Sequence, residues 1–292
     1  MEYLMDIEVP SNWIAKSNIL KVIGVGGGGT NAVAYMYQQE IKDVDFIVCN
    51  TDFQHLNDCP VKTKIQLGPI TCRGLGAGTE PLVGRKAAIE SKDEIEAALG
   101  GDTEMVFITC GMGGGTGTGA APVIAEIAKS KGLLTVGVVT LPFRDEGPEA
   151  LFRANEGIKE LNKHVDSLLI IDNQKLYDLE GVKLFSAFPK ADEVLATAVK
   201  SIAEIITSRG YINVDFADVR KVMQDSGMAL MGIGRASGPD RVQKAIDMAF
   251  KSPLLSDYDL SGVSRVLVNI SSSSNDEFAL DTDELSQIMD YI

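Results

Sequence analysis

Two glycine-rich segments carry the residue types best suited to chemistry. The first, KVIGVGGGGTNAV (Lys21 to Val33), places Gly24, Gly26 and Gly29 in a GxGxxG pattern after a strand-like run and before a helix-like one. Glycines there admit positive φ and let backbone N–H groups approach a phosphate closely. The same pattern fits a dinucleotide-binding oxidoreductase, with Asp52 after the second strand as its ribose acid, and it also fits a tight turn with no ligand. Gly27 and Gly28 add freedom that the dinucleotide fingerprint does not need. The second segment, GMGGGTGTGAAP (Gly111 to Pro122), is more specific, with six glycines and two threonines in its first nine residues. That composition is costly in chain entropy. As an anion cradle it makes sense: successive N–H groups form a nest, the positive end of a helix follows, and Thr116 and Thr118 add hydroxyl donors. It contains no lysine, and GxxxxGK[ST] occurs nowhere, so a P-loop enzyme is excluded.

Two further segments hold candidate groups. RGLGAGTEP (Arg73 to Pro81) falls where a loop could cover a triphosphate, although an ordinary surface loop would look the same. In NVDFADVR (Asn213 to Arg220), Asp215 and Asp218 stand three apart at a helix start. That spacing suits an N-cap and a capping-box partner, and equally suits two carboxylates that orient a water for attack on a phosphate. His55 and His164 are the only histidines, lack metal-like spacing and read as structural. No GxSxG or HExxH is present.

The elements that must position these groups alternate. Ile19–Val25, Val44–Cys49, Glu104–Cys110, Leu133–Leu141 and Asp166–Ile171 are apolar on both faces, as strands of a parallel sheet are. Gly84–Leu99, Ala120–Ser130 and Glu149–Val165 carry helical periodicity, so a doubly wound α/β layer is predicted, with ligands at the carboxyl ends of the strands. A long, largely buried helix follows from about Lys190 to Ser208, stopped by Gly210. A helix from Phe216, an apolar run Met228–Ile233, a helix Asp240–Lys251 and a strand Val263–Ile270 form a smaller second α/β unit. The acidic stretch Asp276 to Ile292 reads as a solvated helix face.

Composition narrows the class. The chain has 292 residues, 45% hydrophobic and 23% charged, which fits one large or two ordinary globular domains. Its net charge of −14 argues against non-specific binding to nucleic acid or to an anionic membrane. The longest apolar run, Leu133 to Phe143, is too short to span a bilayer, and the first twelve residues lack a signal-peptide pattern. Cys49, Cys59, Cys72 and Cys110 show no CxxC spacing and suit a reducing, cytoplasmic compartment, with Cys49 and Cys110 as core residues.

Taken in order, these motifs resemble the tubulin/FtsZ family over nearly the whole chain, from Lys21 to about Ile270. GMGGGTGTG is similar to its signature loop and NVDFADVR to its synergy loop, with the long helix placed just before the latter. The resemblance implies a GTP-binding domain over 1–188, a connecting helix over 189–210 and an incomplete C-terminal domain over 211–292. It implies that Gly27, Gly28, Gly29 and Thr30 meet the phosphates with Gly114, Gly115, Thr116 and Gly117, while Gly76, Ala77 and Gly78 close over the γ-phosphate and Asn31 begins the helix beside it. Glu146 is similar to the glutamate that contacts the ribose, Asn173 and Asp192 to the guanine readers, and Phe188 to the ring that stacks on the base. Asp215 and Asp218, supported by Asn213, would then act on the GTP of the next subunit in a head-to-tail polymer. Magnesium would accompany the triphosphate, with no metal site of the protein's own. The implied role is a GTPase of the bacterial division ring at mid-cell, with a slowly hydrolysing or non-enzymatic structural relative as the alternative. Other division proteins would be met through a tail absent from this sequence. Three positions depart from the family: Thr30 replaces a glycine, Asp145 an aromatic, and Ala150 a phosphate-contacting arginine. Arg144 and Arg153 are the nearby cations that could take over from the last.

Overall fold

The computed structural model describes residues 18–177, 184–207, 215–250, 262–273 and 279–291. The chain begins with strand β1 (Leu20–Val25), helix α1 (Gly26–Gln38), β2 (Val44–Asn50), α2 (Phe53–Asp58) and β3 (Thr63–Gln66). Helices α3 (Pro81–Glu90) and α4 (Lys92–Ala98) lead to β4 (Met105–Gly111), α5 (Thr116–Ser130), β5 (Leu134–Leu141), α6 (Pro148–Leu161) and β6 (Ser167–Asp172). Next come a short α7 (Gln174–Tyr177), the long α8 (Leu184–Thr207), α9 (Phe216–Met223), β7 (Gly227–Ala229), α10 (Arg241–Phe250) and α11 (Thr282–Tyr291).

The seven strands form one parallel sheet in the order β3-β2-β1-β4-β5-β6-β7. Because side chains alternate along a strand, β1 feeds two cores: Ile23 and Val25 face one, Leu20 and Val22 the other. Helices α3 to α6 cover the first through residues such as Ala88, Ile95, Ile124 and Leu161. Helices α1, α2, α8 and α9 cover the second through Val33, Leu56, Val199 and Val219. Both faces are thus dry, which is why the strands are continuous apolar runs. The expected doubly wound layer is present, and each of the five expected strands appears within one or two residues of its expected ends.

Several expectations are corrected. Gly84–Leu99 is two helices, broken at Ser91, whose hydroxyl accepts from the Gly68 N–H at 3.0 Å and donates to the Gln66 carbonyl at 3.2 Å. Helix α5 starts at Thr116 rather than Ala120, and α8 starts at Leu184 rather than Lys190 with Pro189 inside it. The expected stop, Gly210, lies outside the described residues. The apolar run Met228–Ile233 does not open a separate sheet. Its first residues join β7, which pairs Met228 with Leu168 and so satisfies the free edge of β6. Val263–Ile270 forms no strand among the described residues; Val263 and Val266 are exposed and no ladder partner lies beside them. The acidic end does become a helix, α11, fastened by Glu284 to Arg241 of α10. The pair holds the Glu284 carboxyl down at about 2, the Arg241 hydrogen bond being the largest cause.

All four cysteines are free and buried. Burial pushes the thiols of Cys49 and Cys110 up to about 12, so both are neutral core groups, as expected for residues at strand ends.

Candidate functional site

Sheet order decides where a ligand can sit. Succession runs outward through β1, β2 and β3 on one side and through β4, β5 and β6 on the other, so β1 and β4 flank the switch point. At their carboxyl ends the two connections diverge to opposite faces and leave a crevice. The loops leaving these two strands are the two glycine segments. Each opens a helix whose first N–H groups have no partner within the helix, the arrangement that favours anions.

The two loops touch, and only glycine permits it. Gly26 has φ +71, and a methyl there would lie 2.9 Å from the Gly117 nitrogen. The segment 76–78 closes over the second loop: a methyl on Gly115 would lie 2.6 Å from the Gly78 carbonyl oxygen. Gly76 and Gly78 hold φ of +84 and +59, which their loop needs. Gly27–Gly29, Gly76–Gly78 and Gly114–Gly117 therefore converge on one place. Within it Gly27, Gly28 and Gly114 are exposed, while Ala77 is buried. Thr30 is buried with its hydroxyl unpartnered among the described residues.

The two threonines of the second loop differ. Thr116 shares a 2.6 Å hydrogen bond with Thr51 at the end of β2 and stays at the crevice. Thr118 is buried, and its hydroxyl accepts from the Gly113 N–H at 2.8 Å.

Two side chains, one just past the carboxyl end of β6 and one in α8, lack satisfaction among the described residues. Asn173 follows β6 directly, is buried, and its Oδ1 has no hydrogen-bond partner among the described residues. Asp192, in the N-terminal half of α8, is desolvated, which raises its carboxyl to about 7. An orphaned buried acceptor and a half-buried carboxyl with no cation beside it among the described residues are what a hydrogen-bonding ligand would correct. Glu146 instead accepts from the Phe143 N–H at 2.8 Å. Phe188 lies within α8, and its side chain falls outside the described residues.

The acids of the third motif are elsewhere. Asp215 caps α9, accepting from the Asp218 N–H at 2.9 Å; the reciprocal capping-box bond from Asp218 is not formed. Arg220 of the same helix donates to the Glu104 carboxylate at 2.9 Å and to the Glu104 carbonyl at 3.2 Å, and stacks on Phe216. Glu104 immediately precedes β4, so α9 sits at the amino ends of the strands. The glycine loops sit at the carboxyl ends. A seven-residue strand spans roughly 23 Å, so one chain's acids and its own crevice are far apart. Asn213 lies outside the described residues.

Two residues at the crevice were not singled out from the sequence as site residues. His55, read as structural, shares a 2.9 Å hydrogen bond with Asn31, and its ring carbon Cε1 would lie 3.5 Å from a methyl on Gly27. Its place three residues after the cap Asp52 on a helix facing the first loop was the available signal. Arg153, considered only as a stand-in for position 150, donates from Nε to the Gly113 carbonyl at 2.8 Å.

Residues 19–181 match the model described as Tubulin/FtsZ family, GTPase domain, and residues 227–292 match that of the FtsZ family, C-terminal domain. The chain belongs to the tubulin/FtsZ family. It is 53% identical over 259 residues to the cell division protein FtsZ of Pseudomonas aeruginosa, covering 88% of this chain and 66% of that relative. FtsZ of Azotobacter vinelandii is 54% identical over 259 residues, with the same shares covered. The chain thus spans about two thirds of the length of these tubulin/FtsZ relatives. Among solved structures, an empty FtsZ dimer from M. jannaschii superimposes with a TM-score of 0.79 at 46% identity, over 84% of this chain and 71% of that one.

Proposed function

We propose that this chain binds GTP in the crevice at the β1–β4 switch point and hydrolyses it when a second copy, stacked head to tail, supplies Asp215 and Asp218. The observation that carries the reading is the separation of the parts: the anion cradle lies at the carboxyl ends of the strands and the acids at their amino ends. A rigid chain cannot bring the two together, whereas translation of one copy onto the next can. Such an interface is heterologous and does not close, so it propagates a filament.

In this reading the phosphates lie on the N–H groups of Gly27, Gly28 and Gly29 with Thr30, and of Gly114, Gly115, Thr116 and Gly117, at two helix N-termini. Gly76, Ala77 and Gly78 cover the terminal phosphate, and Asn31 flanks it. Asp192 accepts from N1–H and one N2–H of the guanine edge, Asn173 accepts the second N2 hydrogen through its orphaned oxygen, Phe188 stacks on the base and Glu146 reaches the ribose. The residues present fit the nucleotide, since the unsatisfied groups at Asn173 and Asp192 are the ones it would engage. Magnesium, when bound, would neutralise charge on the triphosphate oxygens. The neighbour's Asp215 and Asp218, with Asn213, orient the attacking water toward the γ-phosphorus. The division into 1–188, 189–210 and 211–292 follows: a nucleotide-binding layer, a connecting helix and a part that carries the acids. A protein of this kind would work in the cytoplasm at the mid-cell division site. No helix among the described residues is long and apolar enough to cross a membrane.

Complementation tests this. Asp218→Ala keeps the crevice and loses an acid; Asp192→Ala keeps the acids and weakens the crevice. Each alone should turn over little GTP, and an equal mixture should recover activity, because the second chain's acids meet the first chain's nucleotide. A mixture no more active than the sum of its parts would refute action across the interface. A slowly hydrolysing structural relative is the second reading, favoured by Ala150, and would show assembly on GTP with turnover near background in the unmodified chain.

A further inference from the structure

We infer that Arg153 is a positioning residue for the phosphate cradle, holding the Gly113–Gly114 peptide so that its N–H faces the ligand; the inference rests on the GTP reading above. The loop has no lysine to fix it, and Gly113, at φ +106, sits in a backbone region that side chains disfavour. Both polar backbone groups of Gly113 are nevertheless held. Its N–H donates to the Thr118 hydroxyl at 2.8 Å, and its carbonyl accepts from Arg153 Nε at 2.8 Å.

A trans peptide is planar, so the Gly113 carbonyl and the Gly114 N–H point in opposite directions. Pulling the carbonyl toward α6 aims the Gly114 N–H away from it, into the crevice. Gly114 is the exposed residue of the loop, and a methyl built on it would meet nothing within 4 Å. The peptide that Arg153 holds is therefore the one open to a ligand.

The hold is rigid because α6 is pressed onto the loop. The Ala150 carbonyl oxygen would lie 3.0 Å from a methyl on Gly113, and Gly157 lets Thr118 pack against the same helix. Arg153 itself is mostly buried, with Glu149 3.8 Å away on its solvent side. A charge-assisted bond in that setting is stronger than a neutral one. Without it, the Gly113–Gly114 peptide can rotate, and nucleotide binding must then cover the cost of ordering it.

The test measures affinity for fluorescent GDP and GTP, steady-state KM and kcat, and nucleotide-free melting in the full chain, its Arg153→Ala and Arg153→Lys variants, and Glu149→Ala. The inference expects Arg153→Ala to weaken GDP and GTP alike by about tenfold, the loss of one charged hydrogen bond. It expects KM to rise with kcat nearly constant, since a preformed cradle binds ground and transition states equally. Arg153→Lys should recover part of the affinity, and Glu149→Ala should match the unmodified chain. Unchanged affinity in Arg153→Ala would overturn the inference while leaving the GTP reading intact. Loss of GTP affinity alone would also overturn it, by making Arg153 a direct γ-phosphate contact. A collapse of nucleotide-free melting that Arg153→Lys does not reverse would make it a strut of α6. Failure of the unmodified chain to bind either nucleotide would overturn both readings together.

Discussion

Arg220 and Glu104 are joined at 2.9 Å, and this contact ties the helix that carries Asp215 and Asp218 to the foot of the sheet, at the end opposite the glycine loops. The same guanidinium reaches the Glu104 carbonyl and covers the ring of Phe216. Its ion pair is partly exposed and worth little by itself, so the carbonyl bond and the stacking contribute much of the docking energy. Because β4 starts at the next residue, the pair fixes α9 relative to the strand that ends in GMGGGTGTG.

Arg220→Ala should loosen α9 while leaving the crevice intact. Stability should fall by about 1–2 kcal/mol, and GTP turnover should drop several-fold at constant nucleotide affinity. Urea unfolding, together with GDP titration, checks this; an equal loss of affinity would show that α9 and the crevice are not separable.

Asp192 gives a pH dependence with a definite sign. Burial holds its carboxyl up at about 7, so below that pH the free protein carries it protonated. Guanine N–H donors favour the carboxylate, so binding releases a proton, and affinity should rise as pH rises toward about 7 and level off above it. GDP dissociation constants from roughly pH 5.5 to 8.5 test this. Asp192→Asn should bind weakly with no such slope, and a flat profile in the unmodified chain would contradict the assignment.

Much of the crevice could be read from the sequence, for a physical reason. The strands are buried on both faces, so Val106–Cys110 and Leu134–Val139 are largely apolar, interrupted only by Thr109, Thr135 and Gly137, and need no knowledge of their partners. The glycine loops advertise themselves because no other residue fits where Gly26 meets Gly117 and Gly115 meets Gly78. What stayed hidden depends on contacts distant in sequence. Ser91 breaks a helix by bonding Gly68 and Gln66, more than twenty residues away. Residues Gly227–Ala229 find β6 across the whole of α8. Asp215 and Asp218 showed their capping spacing, but their distance from the loops follows only from strand order.

His55 and Asn31 form a further testable pair at 2.9 Å beside Gly27. His55→Ala should weaken nucleotide binding by about three- to tenfold, because Asn31 loses the partner that holds it. Asn31→Ala should cost a similar amount, and the double variant should cost less than the sum, as coupled residues do. Additive losses in the cycle would show that the two act separately.

Gly115→Ala should abolish high-affinity nucleotide binding. The added methyl would sit 2.6 Å from the Gly78 carbonyl oxygen, forcing apart the second loop and the segment over it. Overpacking of this kind costs about 1–3 kcal/mol, so the chain should remain folded by circular dichroism. Retained affinity would mean that the 76–78 segment can move aside without consequence.

GTP turnover per chain, followed across a wide range of protein concentration, tests the central claim that the active site is completed by a neighbour. The account predicts a rate per chain near zero when dilute that climbs above a threshold, and no such climb in Asp218→Ala. A high rate per chain, independent of concentration, would place the catalytic groups within one chain and contradict it.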